Sequence, residues 1–388
     1  MTISVIKNAD IYAEHGVISN GFIYIQNGKL LAVSQSELDF KTDEEISLPA
    51  GLKIVPGFID IHIHGANGAD AMDGTEKSLK TMSSFLPSEG TTSFLPTTMT
   101  QSPEEIETAL RCIHQFSNSD YDGAEIIGVH LEGPFINPSK RGAQPDTHIK
   151  QPDLDLFMKW QEASGNTIKL ITLAPEMEGA LPVIQELCRN GVCVSIGHSD
   201  ATYEEVVAGI EVGASHVTHF FNGMSGLHHR EPGVVGAGLL RKELTVELIC
   251  DGIHFNQDLI HLVLQSKGLD RIVLITDSMR AKGLKDGQYE LGGQAVYVND
   301  NKATLKDGTL AGSIVSMMDC IRLVHSVTNL PFEDIIKLAT HNPAKQIGMF
   351  DRKGSISQGK DADLVVLNDQ LDIVMTICRG KIVYHKPL

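Results

Sequence analysis

Positive charge is scarce in this 388-residue chain. Its 32 Lys and Arg stand against 49 Asp and Glu, a formal charge of −17, and the basic residues gather nowhere into a stripe. DNA, RNA and anionic lipid surfaces therefore have no electrostatic footprint to bind. Long apolar runs are missing too: no stretch of 18 or more could cross a bilayer, and the opening MTISVIKNADIYAEHG has no basic stretch followed by an apolar one. The expectation is a cytoplasmic protein without a nucleic-acid or membrane partner. The six cysteines, Cys112, Cys188, Cys193, Cys250, Cys320 and Cys378, lack C-x-x-C spacing, so they read as reduced thiols and not as a disulfide framework or a cysteine metal site. Aromatic residues make up only 5%, and there is no internal repeat or low-complexity segment; with 42% hydrophobic and 21% charged residues the composition is that of an ordinary globular protein.

What the chain does have is alternation. Residues 1–53 carry strand-like runs, ISVIKNADIY and VISNGFIYIQNGKLLAVS, with Asn20-Gly21 and Asn27-Gly28 as hairpin signals. Residues 347–388 have the same character, with Arg379-Gly380 between two runs. Both ends are expected to form one small β-sandwich beside a central domain, residues 54–346. There, eight apolar runs alternate with helix-like stretches: KIVPGFIDIHIH, TTSFLPTTM, EIIGVHLEG, IKLITLAPE, GVCVSIGHSD, ASHVTHFF, VELICDGIHF and RIVLITDS. Eight βα units predict an α/β fold, a (β/α)₈ TIM-type barrel, whose chemistry lies at the C-terminal ends of its strands. Each run ends in polar residues: His62 and His64, Thr97 and Thr98, Glu132, Glu176, His198, His219, Asp251 with His254, and Asp277. Residues 285–312 lack the next helix and read as a β-hairpin excursion.

The strand ends suggest a metal centre. His62 and His64 are two apart, so on a strand both imidazoles face one point, and Gly65 permits a close backbone approach. Glu132 offers an oxygen at the same height, and His198 and His219 offer two further imidazoles. His216 and His219 are three apart and would face opposite ways on a regular strand; position at the run's end favours His219. Imidazoles with a carboxylate make a hydrolytic site for Zn²⁺ or Fe²⁺ without any thiolate. Asp277 could cap the next element; beside a metal-activated water it could take up and return a proton. Asn222-Gly223, His228-His229-Arg230-Glu231 and Asp251-Gly252-Ile253-His254 follow. Arg230 either pairs with Glu231 or grips an anion.

PGFIDIHIHG, HLEGPF, GHSDA, THFFNGM, HHREPG, DGIHF, ITDSMRAKG and GKDADLVVLN occur in this order. Together they resemble the N-acetylglucosamine-6-phosphate deacetylase family, a branch of the amidohydrolase superfamily, over essentially the whole chain. The resemblance implies hydrolysis of N-acetyl-D-glucosamine 6-phosphate to D-glucosamine 6-phosphate and acetate, in amino-sugar catabolism and cell-wall recycling. It implies Glu132, His198 and His219 as principal metal ligands and Asp277 as the proton shuttle. Sugar-phosphate contacts fall on Ala143, Gln144, Asn222, Gly223, Arg230, Asp251, His254, Leu310, Ala311 and Gly312. Arg230 matches a position that reaches across a dimer interface, which implies a homodimer. Some family members lack the two histidines of the first run and hold one divalent cation; His62 and His64 allow a second, with Glu132 as the bridge. Gln144 stands where some relatives carry a histidine near the substrate carbonyl, and a neutral amide can donate a hydrogen bond there but adds no charge. Two competing readings are an amidohydrolase for another amide, such as a cyclic imide, and a non-catalytic scaffold.

Overall fold

The computed structural model describes residues 2–387. Each of the eight apolar runs supplies a strand: β1 (Phe58–Ile63), β2 (Thr91–Pro96), β3 (Val129–Glu132), β4 (Ile168–Leu173), β5 (Cys193–Ile196), β6 (His216–Val217), β7 (Thr245–Ile249) and β8 (Ile272–Ile275). All pair in parallel. Strands β3 to β8 form one six-stranded sheet in chain order, while β1, β2 and the short Glu125–Ile126 strand form a three-stranded one. The third run belongs to both sheets. Glu125–Ile126 pairs with β2 and, beyond Gly128 at φ +148°, β3 pairs with β4; only a glycine takes that backbone conformation without strain. Parallel bridges Thr97↔His130 and Ile63↔Ser278 link the ends of the two sheets. The protein is thus an α/β fold built on parallel strands.

Helices fill the connections, and their ends are written in the sequence. Helix Pro103–Ser117 starts where Ser102 Oγ accepts from Glu105 N and the Glu105 carboxylate accepts from Ser102 N, with Pro at the first position. This reciprocal cap is worth about 1 kcal/mol. Ile106, Ala109, Leu110, Ile113 and Phe116 recur at helical spacing, and all five are buried.

Both termini feed one eight-stranded sheet in which Lys53–Pro56 pairs with Leu364–Leu367. The first run therefore divides: Lys53–Pro56 joins this sheet, and β1 starts after Gly57, where a Cβ would lie 2.1 Å from Thr92 Oγ1. The terminal sheet has its own apolar cluster, with Ile6, Ile23, Ile54, Leu364 and Ile377 among its members. Asn27-Gly28 and Arg379-Gly380 make the two-residue turns that their residues predict, with positive φ at all four positions. Asn20-Gly21 does not. It lies inside the strand Gly16–Gln26, where the register slips opposite Ala9, so Asn20 at φ 51° serves a bulge and the turn falls at Glu14 and His15. The excursion after β8 is an antiparallel triple of Gly287–Leu291, Gln294–Asn299 and Lys302–Thr304. No helix among the described residues is long and apolar enough to cross a membrane.

Candidate active site

The strand ends converge as their polar termini suggest. Glu132 closes β3, while His198, His219 and Asp277 each sit two residues beyond the strand that carries them. There the chain turns sharply: His198, His219 and Asp277 have φ of 47°, 29° and 48°, a left-handed conformation that non-glycine residues hold only under constraint from their surroundings. The turn aims the three side chains at one point. His198 Nε2 and His219 Nε2 each lie 3.2 Å from Glu132 Oε1 and 3.1 Å from each other. His64 Nε2 lies 3.2 Å from Glu132 Oε2 and 3.2 Å from Asp277 Oδ1, and His62 Nε2 lies 3.4 Å and 3.3 Å from Glu132 Oε1 and Asp277 Oδ1.

Groups behind the rings fix them. His64 Nδ1 is 3.2 Å from the Thr97 carbonyl and His198 Nδ1 is 2.9 Å from the Lys140 carbonyl, so each ring, when neutral, donates outwards and presents a bare Nε2 to the centre. Gln144 is spent in the same way: its Nε2 donates to Glu132 Oε2 at 2.7 Å and its Oε1 accepts from Thr100 N at 2.7 Å. Burial pulls the His64 imidazole down, but Asp277 and Glu132 outweigh it and raise its pKa to about 9. His62 is likewise held well above the usual value against burial, by Asp277, Glu132 and Glu247. Burial would raise Glu132, yet the surrounding imidazoles hold it well below the usual carboxylate range. The centre thus favours positive charge. Two donor groups, His62-His64-Glu132 and Glu132-His198-His219, have ligand atoms within 4.8 Å of one another, and His62 Nε2 is buried without a hydrogen-bond partner. Such a donor set fits a divalent cation.

A cavity of about 250 Å³ opens on this cluster, lined by His64, Glu132, His198, His219 and Asp277. Its walls hold the expected Ala143, Gln144, Asn222, Gly223, His254, Leu310 and Gly312. Three expected contacts lie elsewhere in this chain. Asp251 stands behind His254, with Oδ2 2.7 Å from its Nδ1; Ala311 is buried under the wall; Arg230 is on an exposed loop, its Nη1 hydrogen-bonded at 2.9 Å to Nε2 of its neighbour His229. Met99, Gly142, Leu291 and Thr309 also line the cavity. Thr309 lies in the segment 308–313, which the sequence offers as a weak backbone-amide loop. Sequence reasoning passed over the other three, because apolar and glycine residues carry no chemical signal. It also passed over Glu247, a fully buried carboxylate in the middle of β7. A lone charge inside the apolar run TVELI was the available sign. His216 departs from the two-faced strand expectation as well. Strand β6 ends at Val217, so His216 Nε2 reaches Glu247 Oε1 at 3.1 Å while His219 N donates to Glu247 Oε2 at 3.0 Å.

A parallel α/β scaffold with imidazoles and carboxylates gathered at its strand ends is the arrangement that suits a hydrolase using a divalent cation. Residues 54–383 match the model of the amidohydrolase family, and the chain belongs to that family. Within it the chain is similar to N-acetylglucosamine-6-phosphate deacetylase of Bacillus subtilis, 46% identical over 98% of this chain and 96% of that one. Among solved structures it is similar to N-acetylglucosamine-6-phosphate deacetylase from Thermotoga maritima, with 35% identity, a TM-score of 0.88, and coverage of 98% of this chain and 100% of that one. A mutant of the Mycobacterium smegmatis N-acetyl-D-glucosamine-6-phosphate deacetylase in complex with N-acetyl-D-glucosamine-6-phosphate gives 29% identity and a TM-score of 0.92, over 99% and 100% of the two chains.

Proposed function

We propose that the protein hydrolyses N-acetyl-D-glucosamine 6-phosphate to D-glucosamine 6-phosphate and acetate, a step of amino-sugar catabolism and cell-wall recycling. The observation that carries this reading is the donor cluster with Asp277 at the floor of one cavity, in a chain 46% identical to such an enzyme along nearly its whole length. Glu132, His198 and His219 would hold one divalent cation, Zn²⁺ or Fe²⁺, and His62 and His64 a second, with Glu132 shared. When bound, such a cation acidifies water and polarises a carbonyl. Asp277 takes the proton of the water that attacks the acetamido carbonyl and returns it to the sugar nitrogen as the C–N bond breaks. Acetate and the free amine result. Gln144 keeps Glu132 in place and leaves the carbonyl alone, since both ends of its amide are engaged.

Asn222, Gly223 and His254 on the cavity wall suit the sugar phosphate, with Asp251 orienting His254. Arg230, too far out to line its own cavity, suits a homodimer in which it reaches the neighbouring site. In this reading the two parallel sheets, joined through the third run and bridged between Ile63 and Ser278, close as a (β/α)₈ barrel, residues 54–346. The terminal sheet, with its own core, folds over as a small β-sandwich from residues 1–53 and 347–388.

The test is deacetylation kinetics on N-acetylglucosamine 6-phosphate and on unphosphorylated N-acetylglucosamine, alongside metal analysis of the active protein. Turnover of the phosphorylated sugar that depends on the divalent ion is expected; equal turnover of both sugars, or none of either, would remove the reading. Arg230→Ala should raise KM for the phosphorylated sugar at least about tenfold, as loss of a charge-assisted contact does, and an unchanged preference would take Arg230 out of the phosphate site.

A further inference from the structure

Of the four imidazoles at the site, His64 and His198 are set by backbone carbonyls and the His219 Nδ1 is buried without a partner, whereas His62 is different. Its Nδ1 lies 3.0 Å from Glu247 Oε2. Glu247 is fully buried on β7, and among the described residues no Lys or Arg pairs with it. Its ion-pair partners are the rings of His62 and His216, and its remaining contact is His219 N. A carboxylate can only accept. In the neutral form of His62, the form that can ligate a cation, the proton must therefore sit on Nδ1. The bare Nε2 then faces Glu132 and Asp277, at 3.4 Å and 3.3 Å, with no hydrogen-bond partner of its own.

We propose that Glu247 is a positioning residue: its carboxylate commits His62 to offering Nε2, and the His62-His64-Glu132 group takes up a cation with full affinity only while that carboxylate is in place. The inference rests on the two-cation reading given above. In the other donor group no ring nitrogen is held by Glu247. His198 is set by the Lys140 carbonyl, and His219 touches Glu247 only through its backbone N–H. Loss of the carboxylate should therefore weaken one cation and spare the other. An isosteric amide keeps the volume but leaves one acceptor for three donors, and removes the charge that favours a cation above it. Changes of this kind behind a ligating histidine lower metal affinity 10- to 100-fold.

The experiment is a Zn²⁺ titration of metal-free protein against a chromophoric chelator, comparing wild type, Glu247→Gln and His62→Gln, with a thermal melt on each. Wild type is expected to bind two Zn²⁺ per chain. Glu247→Gln should keep one at wild-type affinity and bind the other about 10- to 100-fold more weakly, the same ion that His62→Gln loses. Two ions at wild-type affinity in Glu247→Gln would overturn the proposal. A single ion in the wild type, unmoved by His62→Gln, would instead sink the two-cation reading and the proposal with it. Should Glu247→Gln fail to fold, a crystal structure of the wild type with Zn²⁺ decides. The ion on His62 Nε2 with Nδ1 still on Glu247 supports the role, whereas Zn²⁺ on His62 Nδ1 or on Glu247 itself overturns it.

Discussion

Asp277 joins strain, burial and charge in one side chain. It holds a left-handed φ, stands against both His62 and His64, and is pushed up by burial yet held below its usual carboxylate value by those imidazoles. A carboxylate kept ionised at the cavity floor can accept a proton there, and an amide in its place cannot. Asp277→Asn should lower kcat by about 10²- to 10⁴-fold with metal content unchanged; substantial remaining turnover would remove Asp277 from proton transfer. Gln144 makes a different prediction. Gln144→Ala leaves Thr100 N without an acceptor and frees Glu132 to turn, at a cost of about 1 to 3 kcal/mol in stability. It should also bind cation roughly tenfold more weakly, and a variant with wild-type metal affinity would show that Glu132 needs no such brace. At this scale the cluster was legible because imidazoles and carboxylates at strand ends have no place in an apolar wall. The period of two around Ile63 was enough to aim His62 and His64 together. Glu247 and His216 stayed hidden: they belong to a buried polar layer that the apolar run around them masks.

The eight strands were legible as elements because each is a short apolar run bounded by turn residues, and the structure puts a strand in every one. Their breaks were not. Periodicity cannot reveal that Gly57 and Gly128 divide two of the runs between different sheets, because the cause is a close approach in space. Asn20-Gly21 shows the same limit, since a bulge and a turn use the same left-handed residues and only the partner strand distinguishes them. Gly197, at the end of β5, carries a testable form of this argument. A Cβ there would lie 2.7 Å from Thr218 Cβ, just beyond β6, and 2.8 Å from Thr172 Cγ2 on β4. Gly197→Ala must push these strands apart or shift the turn that carries His198, for about 1 to 3 kcal/mol of destabilisation. Thermal unfolding and cation affinity should fall together; a fall in stability alone would mean that the strand absorbs the strain without moving His198.

On the scale of the whole molecule, the terminal sheet is locked to the parallel sheets by a buried charge network centred on Lys353. This lysine is almost fully buried; its Nζ pairs with Asp363, lies 2.7 Å from Glu125 Oε2 and 3.0 Å from Asp361 Oδ2, and Arg352 joins Glu125 and Asp361 from the other side. Glu125 comes from the third run of the parallel body. Asp361 and Asp363 come from GKDADLVVLN, just before the strand Leu364–Leu367, so this motif owes its charges to the junction and not to the active site. Burial would raise the Glu125 and Asp361 carboxyls, but Lys353 and Arg352 hold both below their usual values. Carboxyls with depressed folded-state values contribute stability that is present above their unfolded values, about pH 4, and lost as pH falls through the folded ones. The wild type should therefore lose stability in acid. Lys353→Met removes the shared cation and leaves three carboxylates to partners at the edge, a loss of about 3 to 5 kcal/mol near pH 7. Protonating a carboxylate now relieves repulsion, so lowering the pH from 7 to 5 should narrow the gap between variant and wild type. Denaturant unfolding of both proteins at the two pH values measures this, and a gap that widens in acid would show that Lys353 does not organise the network.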